Sequence, residues 1–309
     1  MTLKKNKNYK PNKTHKQMAK TSPILFVPAL VILISAVVFG SLGNTNRFGV
    51  AKNIEGAIIT QKANTRGLIV NLDFNKNSES YNSAEPQKIY NLVDKAPIGV
   101  LGQSDIAEDS DPSFDQNGFF SFDGQKQLIS LEGKNAPKSD FTYEMWVRAD
   151  LNDKPVYAVS SEGKEKGKST AGVKIKDNYW WFMGFNDGNM VYIPYPDKAI
   201  DQSWHHIAVT RNDGTLAIFL DGLPAEVTRG VNKYSLSNDF ITIGAVRNGD
   251  HYDEFFKGDI AQLRIYARAL TNDEVLSNLK NTQPDFIRTD ILNKEIDMSE
   301  EEANLEENK

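Results

Sequence analysis

The chain has 309 residues, 39% of them hydrophobic and 25% charged, with a formal net charge of −5 and no cysteine. That length and apolar content suit one sizeable domain with polar appendages. The lack of cysteine excludes a disulfide framework and a thiolate metal site, and the mildly acidic balance leaves no electrostatic footprint for nucleic acid.

Residues 1–20 carry seven lysines and no acid, whereas residues 283–309 carry nine acids against Arg288, Lys294 and Lys309. Residues 21–46 contain no charge, and the apolar run 24–39 is broken only by Pro28 and Ser35. About 20 helical residues cross the ~30 Å hydrocarbon core of a bilayer. The pattern predicts a basic cytoplasmic tail over 1–22, a single transmembrane anchor over 23–43 and an extracytoplasmic main domain, because the lysines precede the anchor. The alternative is a secreted chain cut near Gly43, after the small residues of Ser41-Leu42-Gly43. The length of the basic leader and of the apolar run favours the uncleaved anchor.

Residues 44–66 lack clear periodicity and read as a stalk. From Gly67 onward, strand signals recur. Residues 68–74 alternate, and 118–124 (GFFSFDG) form a short aromatic strand closed by Asp-Gly. Residues 141–149 (FTYEMWVRA) put Phe141, Tyr143, Met145 and Val147 on one face, since successive side chains of a strand point to opposite sides. Further strands are expected over 127–131, 156–160, 172–176, 179–185, 190–194, 240–244 and 258–266. Residues 204–222 (WHHIAVTRNDGTLAIFLDG) spell a hairpin whose Asn-Asp-Gly turn is flanked by β-branched and apolar residues. In its first strand Ile207 and Val209 share one face, with Trp204, His206, Ala208 and Thr210 on the other.

One helix is well signalled. Thr271-Asn272-Asp273-Glu274 is a capping box, in which Thr271 caps the Glu274 amide while the Glu274 carboxylate reaches back. Val275, Leu276 and Leu279 then form an apolar stripe. The acidic tail follows from residue 283, with a loose amphipathic helix expected around 287–296 and a segment of disordered composition after it.

About a dozen short strands separated by turns indicate an all-β sandwich rather than a parallel α/β fold. Five segments sharpen this: LDF at 72–74, FSFDG at 120–124, DFTYEMWVRAD at 140–150, the 204–222 hairpin, and GDIAQLRIYARALTNDEV at 258–275. In that order they resemble the laminin-G-like jelly rolls of the concanavalin A-like lectin/glucanase superfamily, over about 67–281. The resemblance implies a two-sheet antiparallel jelly-roll domain at 67–282, and by itself implies no reaction.

Hydrolases of that superfamily carry alternating carboxylates on one strand, at the short spacing that retaining hydrolysis needs. The corresponding strand here has one acid, Glu144, with Trp146 and Arg148 at the other positions on its face. His205 and His206 are adjacent on a strand and point to opposite faces, which argues against a shared metal or catalytic role. No catalytic residue is assigned and no enzyme activity is expected. For ligand binding, Trp180 and Trp181 also face opposite ways, so one is core and the other is available as a stacking platform. Tyr192 and Tyr195 lie nearby in sequence, and Glu144, Trp146 and His206 are candidates to line a concave face. Relatives of this type bind Ca²⁺ at the sandwich rim through hard oxygen ligands. The oxygen-rich loops here are 186–189 and 248–254, with Asn248, Asp250 and Asp253 the candidate ligands and Glu254 beside them. The expected function is a membrane-anchored binding module for a glycan or a surface protein. The alternative is a structural component of a cell envelope, appendage or virion, with a glycoside hydrolase the weakest reading.

Overall fold

The computed structural model describes residues 63–75, 79–136, 139–162, 171–186, 189–225 and 239–287. The chain divides into two units, Met1–Ile59 and Thr60–Lys309, and the described residues all belong to the second. The expected anchor at 23–43 lies outside them, as does the acidic tail beyond Ile287. Among the described residues no helix is long and apolar enough to cross a membrane.

Among the described residues, eighteen strands and one ten-residue α-helix follow in chain order, with a short 3-10 turn at Gly133–Asn135. They begin with β1 (Leu68–Asp73), β2 (Lys88–Asn91), β3 (Ala96–Leu101), β4 (Ser113–Asp115), β5 (Phe119–Asp123) and β6 (Ile129–Glu132). The middle of the domain holds β7 (Phe141–Ala149), β8 (Val156–Glu162), β9 (Ala171–Lys176), β10 (Tyr179–Asn186), β11 (Asn189–Ala199) and β12 (Trp204–Asn212). The last strands are β13 (Thr215–Leu220), β14 (Leu223–Pro224), β15 (Phe240–Ile243), β16 (Val246–Asn248), β17 (His251–Asp253) and β18 (Lys257–Tyr266), and α1 (Asn272–Asn281) closes the domain.

They assemble into two antiparallel sheets of jelly-roll type. Sheet A runs β14-β13-β12-β7-β18-β5-β4, with β1 also paired to β18. Sheet B runs β11-β10-β9-β8-β15-β6-β3-β2, and β16-β17 form a separate hairpin. The 204–222 hairpin forms as its turn chemistry requires, with Ile207 opposite Leu220 and Asn212 opposite Thr215. Strands β2, β3 and β4 occupy a stretch to which the alternation rule assigns no strand. Pro97 and Gly99 interrupt the pattern of β3, and β4 has only three residues.

The core lies between the sheets and follows the alternation of each strand. Tyr143, Met145, Val147, Ile207 and Val209 from sheet A meet Val173, Ile175, Trp180 and Phe182 from sheet B in one buried cluster. The Tyr143 hydroxyl stands 2.6 Å from Ser161 Oγ across the interior, which satisfies a polar tip that burial would otherwise penalise. Burial pushes the Tyr143 phenol well above its ordinary range.

Each sheet has a cover on its outer side. On sheet A, α1 buries Val275, Asn278 and Leu279. The expected capping box is present, with Glu274 N donating to Thr271 Oγ1 at 3.3 Å and Thr271 N to Glu274 Oε2 at 2.9 Å. Gly222 lets the helix approach: its φ is +78°, and a Cβ there would stand 2.6 Å from Leu276 Cδ2. On sheet B the cover is the β16-β17 hairpin, where the Arg247 guanidinium stacks 3.7 Å from the Phe240 ring centroid.

Candidate functional site

Glu144 and Trp146 project from the outer face of β7, as the alternation predicts, but that face is closed. Glu144 and Trp146 are 2% and 3% exposed, and His206 is fully buried. Asn278 of α1 donates to Glu144 Oε2 and to the Tyr266 hydroxyl, each at 2.9 Å. The Tyr266 hydroxyl donates to Asn64 O at 3.0 Å, which ties in the chain leading to β1. Burial, reinforced by the Glu144 charge, raises the Tyr266 phenol well above its ordinary range. His206 Nε2 lies 3.0 Å from Glu144 Oε1, out of hydrogen-bond alignment. Trp146 Nε1 donates to Thr282 Oγ1 at 3.0 Å beneath the end of α1. The expectation that Glu144, Trp146 and His206 line a ligand face is therefore corrected. The apolar stripe of α1 covers them, and they act as its polar anchor.

His205 faces the opposite way, as expected. Its ring nitrogens stand 2.8 Å from Asp221 Oδ2 and 2.9 Å from Asp201 Oδ1, so the imidazole clamps the turn after β13 to the loop before β12.

The tryptophan pair divides between core and surface. Trp180 is 1% exposed and belongs to the central cluster, so it cannot serve as a platform. Trp181 is the outward member and is half-buried. Its Nε1 donates to Lys176 O at 3.0 Å, which fixes the indole, and Lys176 Nζ lies 5.5 Å from the ring centroid. In the sheet it stands between Pro194 and Lys174, with Tyr157 next beyond Lys174. Lys174 pairs with Glu254 at 2.6 Å and stands 4.6 Å from the Tyr157 ring centroid. Tyr192 is opposite Met183 in register, in the neighbouring row, and its side chain lies outside the described part. Tyr195 is 6% exposed and joins the core.

The rim hairpin spends its oxygen ligands internally. Asp253 Oδ2 accepts from Asn248 Nδ2 at 3.1 Å and lies 3.2 Å from His251 Nε2, while Asp250 is exposed at the tip. Among the described residues no three His, Asp or Glu side chains gather as metal ligands. Of the loop at 186–189, Asp187 and Gly188 lie outside the described residues.

Two features escape the sequence reading. Glu162 closes β8 on the outer side of sheet B and is 1% exposed. It accepts from the Ser160 hydroxyl, from Arg247 N at 3.1 Å and from Thr242 Oγ1 at 3.4 Å. Burial pushes its carboxyl up to about 7 despite those donors. The second feature is an open groove of about 800 Å³ beside the start of α1, lined by Asp140, Thr210, Thr215, Phe219, Leu270 and Asp273 among others. Asp140 is already engaged there, by Arg211 Nη1 at 2.8 Å and Asp213 N at 3.0 Å. The strand expected over 156–160 stops short of Glu162, and the hairpin packed above that position buries it.

Residues 123–276 match a laminin-G-like family model of the concanavalin A-like lectin/glucanases superfamily. No curated protein matches the chain. Among solved structures, domain 4 of an extracellular arabinanase from Geobacillus stearothermophilus, in complex with arabinotriose, superposes with a TM-score of 0.51 at 17% identity, covering 69% of this chain and 97% of that one. The binding domain of Paraclostridial Mosquitocidal Protein 1 gives 0.51 at 17% identity, over 69% of this chain and 52% of that one. A botulinum neurotoxin type C structure, whose cell entry is described as dependent on interaction with two ganglioside molecules, gives 0.52 at 15% identity, over 70% and 51%. The chain thus spans about half the length of the toxin chains it matches. At these identities the likeness is one of fold.

Proposed function

We propose that this chain, whose residues 123–276 belong to the concanavalin A-like lectin/glucanases superfamily, is a membrane-anchored, extracytoplasmic, non-catalytic module that binds glycans. The observation that carries this reading is the half-exposed Trp181, pinned through its Nε1 on the outer face of sheet B beside Pro194 and Lys174. A fixed indole face stacks on the apolar face of a sugar ring, and neighbouring polar groups select its hydroxyls. Against hydrolysis, the only acid on the β7 strand is Glu144, and α1 seals it from solvent together with its partners. The arabinanase domain supports the glycan class, because this fold, matched over 97% of that chain, is seen there in complex with arabinotriose. The basic leader and uncharged run at 1–46 supply the topology, with the domain displayed outside the membrane.

A glycan array probed with the purified full-length chain tests the reading. Binding to a defined subset of glycans is the expected result. Silence across the array, together with oligomers in solution, would replace it with the structural role of an envelope, appendage or virion component.

A further inference from the structure

The loop between β3 and β4 connects the two sheets and reads GQSDIAEDSD over 102–111. Gly102, at its start, has φ +60°, a conformation that L side chains rarely adopt. A Cβ placed on it would stand 2.5 Å from Asp111 Oδ1, 2.6 Å from Ser110 Oγ and 2.8 Å from Glu108 Oε1. Three side-chain oxygens therefore converge on the bare face of one glycine.

Two of them have no partner. Ser110 is 6% exposed, and both its Oγ and Asp111 Oδ1 are buried without a hydrogen bond. Gln87 donates through Nε2 to Asp111 Oδ2 at 2.9 Å, and its Oε1 is buried and also unpartnered. The remaining oxygens are held by the loop itself. Glu108 N donates to Asp111 Oδ2 at 3.1 Å, and Glu108 Oε1 accepts from Gln103 N at 2.8 Å and from Ser104 Oγ at 3.5 Å. Buried polar atoms of folded proteins nearly always find partners, so a group of orphaned oxygens needs an explanation. The charge has the same shape. Among the described residues no lysine or arginine pairs with Glu108 or Asp111, and the nearby Lys126 goes to Asp109 at 2.9 Å. Two carboxylates turned toward one point without a counter-charge repel each other.

We infer that this loop is a calcium site, with Asp111, Glu108, Ser110 and Gln87 as its side-chain ligands. Carboxylate, hydroxyl and amide oxygens in an irregular set suit Ca²⁺, which accepts variable oxygen coordination, better than Mg²⁺, which demands a strict octahedron and keeps its waters. The ion neutralises the two carboxylates and supplies the partner that the Ser110, Asp111 and Gln87 oxygens lack. It also fastens the loop that passes from sheet B to sheet A. The site is separate from the rim hairpin at 248–253 and independent of any glycan bound at Trp181.

The test uses the full-length chain stripped with EDTA. CaCl₂ at millimolar concentration is expected to raise the thermal unfolding midpoint, since a ligand that binds only the native state stabilises it. Tb³⁺ in place of Ca²⁺ is expected to luminesce on tyrosine excitation, because Tyr81 lies close enough to Asp111 to feel its charge. Asp111→Asn should abolish both responses. Ser110→Ala removes only a hydroxyl, keeps the fold and should weaken Ca²⁺ affinity severalfold. The double substitution Asp250→Ala and Asp253→Ala should leave both responses intact. No calcium-dependent shift in the parent would overturn the assignment. So would a shift that survives both loop variants, or one that disappears with the hairpin variant instead.

Discussion

The outer faces of the two sheets carry similar residues and do different things. On sheet A, a carboxylate, an imidazole and an indole (Glu144, His206 and Trp146) sit where a strand-borne active site would lie. A ten-residue helix covers them, and its Asn278 takes the carboxylate. On sheet B another buried carboxylate, Glu162, lies under a short hairpin and accepts from hydroxyls and a backbone amide, while Trp181 beyond that cover reaches solvent. Residue type alone ranks sheet A as the functional face. What separates the two is the element that docks on each: it closes Glu144, Trp146 and His206 from solvent and leaves Trp181 partly exposed.

The largest expected effect comes from the tryptophan pair, which has one member in the core and one on the face. Trp180→Ala empties a fully packed site and should destabilise the domain by roughly 3–5 kcal/mol, while Trp181→Ala should stay within about 0.5 kcal/mol. Urea unfolding of both variants measures this, and equal losses would erase the distinction between them.

The next effect is a pH dependence that marks the sheet B cover. The folded-state value of Glu162, about 7, lies above the ordinary 4.5. The native state therefore holds the proton more tightly than the unfolded chain. The stabilisation is complete below the ordinary value and is lost as pH rises through 7, a change of about 3 kcal/mol at most. Glu162→Gln should remove that loss, so that its stability relative to the parent rises between pH 5 and pH 8. Parallel stability curves for parent and variant would show that the hairpin does not bury the charge.

A smaller effect belongs to the sheet A cover. Asn278→Ala leaves Glu144 Oε2 with only the longer Tyr266 contact of 3.3 Å. It should cost about 1–3 kcal/mol and loosen α1, seen as faster amide exchange in 272–281. Unchanged exchange there would mean that the apolar stripe holds the helix unaided.

How much of this the sequence disclosed depends on the range of the interaction. The hairpin at 204–222, the inward face of β7 and the capping box at Thr271 were all legible, because turn chemistry, alternation and caps act within a few residues. The division of Trp180 from Trp181 was legible, but which of them faced inward was not. The burial of Glu144 and Trp146 was hidden, since it depends on a helix more than 120 residues further along the chain, as the 134-residue separation of Glu144 and Asn278 records. Strands β2 to β4 were missed because Pro97, Gly99 and the shortness of β4 break the period on which the reading relied. The oxygens around Gly102 come from residues 108, 110 and 111, and they converge where that glycine has no Cβ to exclude them.

The central claim is that ligand contact belongs to the Trp181 face and not to the Glu144 face. Affinity electrophoresis of the parent, Trp181→Ala and Trp146→Phe in gels cast with a bound polysaccharide compares the two directly. The account predicts that Trp181→Ala loses its retardation while Trp146→Phe keeps that of the parent. Retardation kept by Trp181→Ala and lost by a still-folded Trp146→Phe would contradict it.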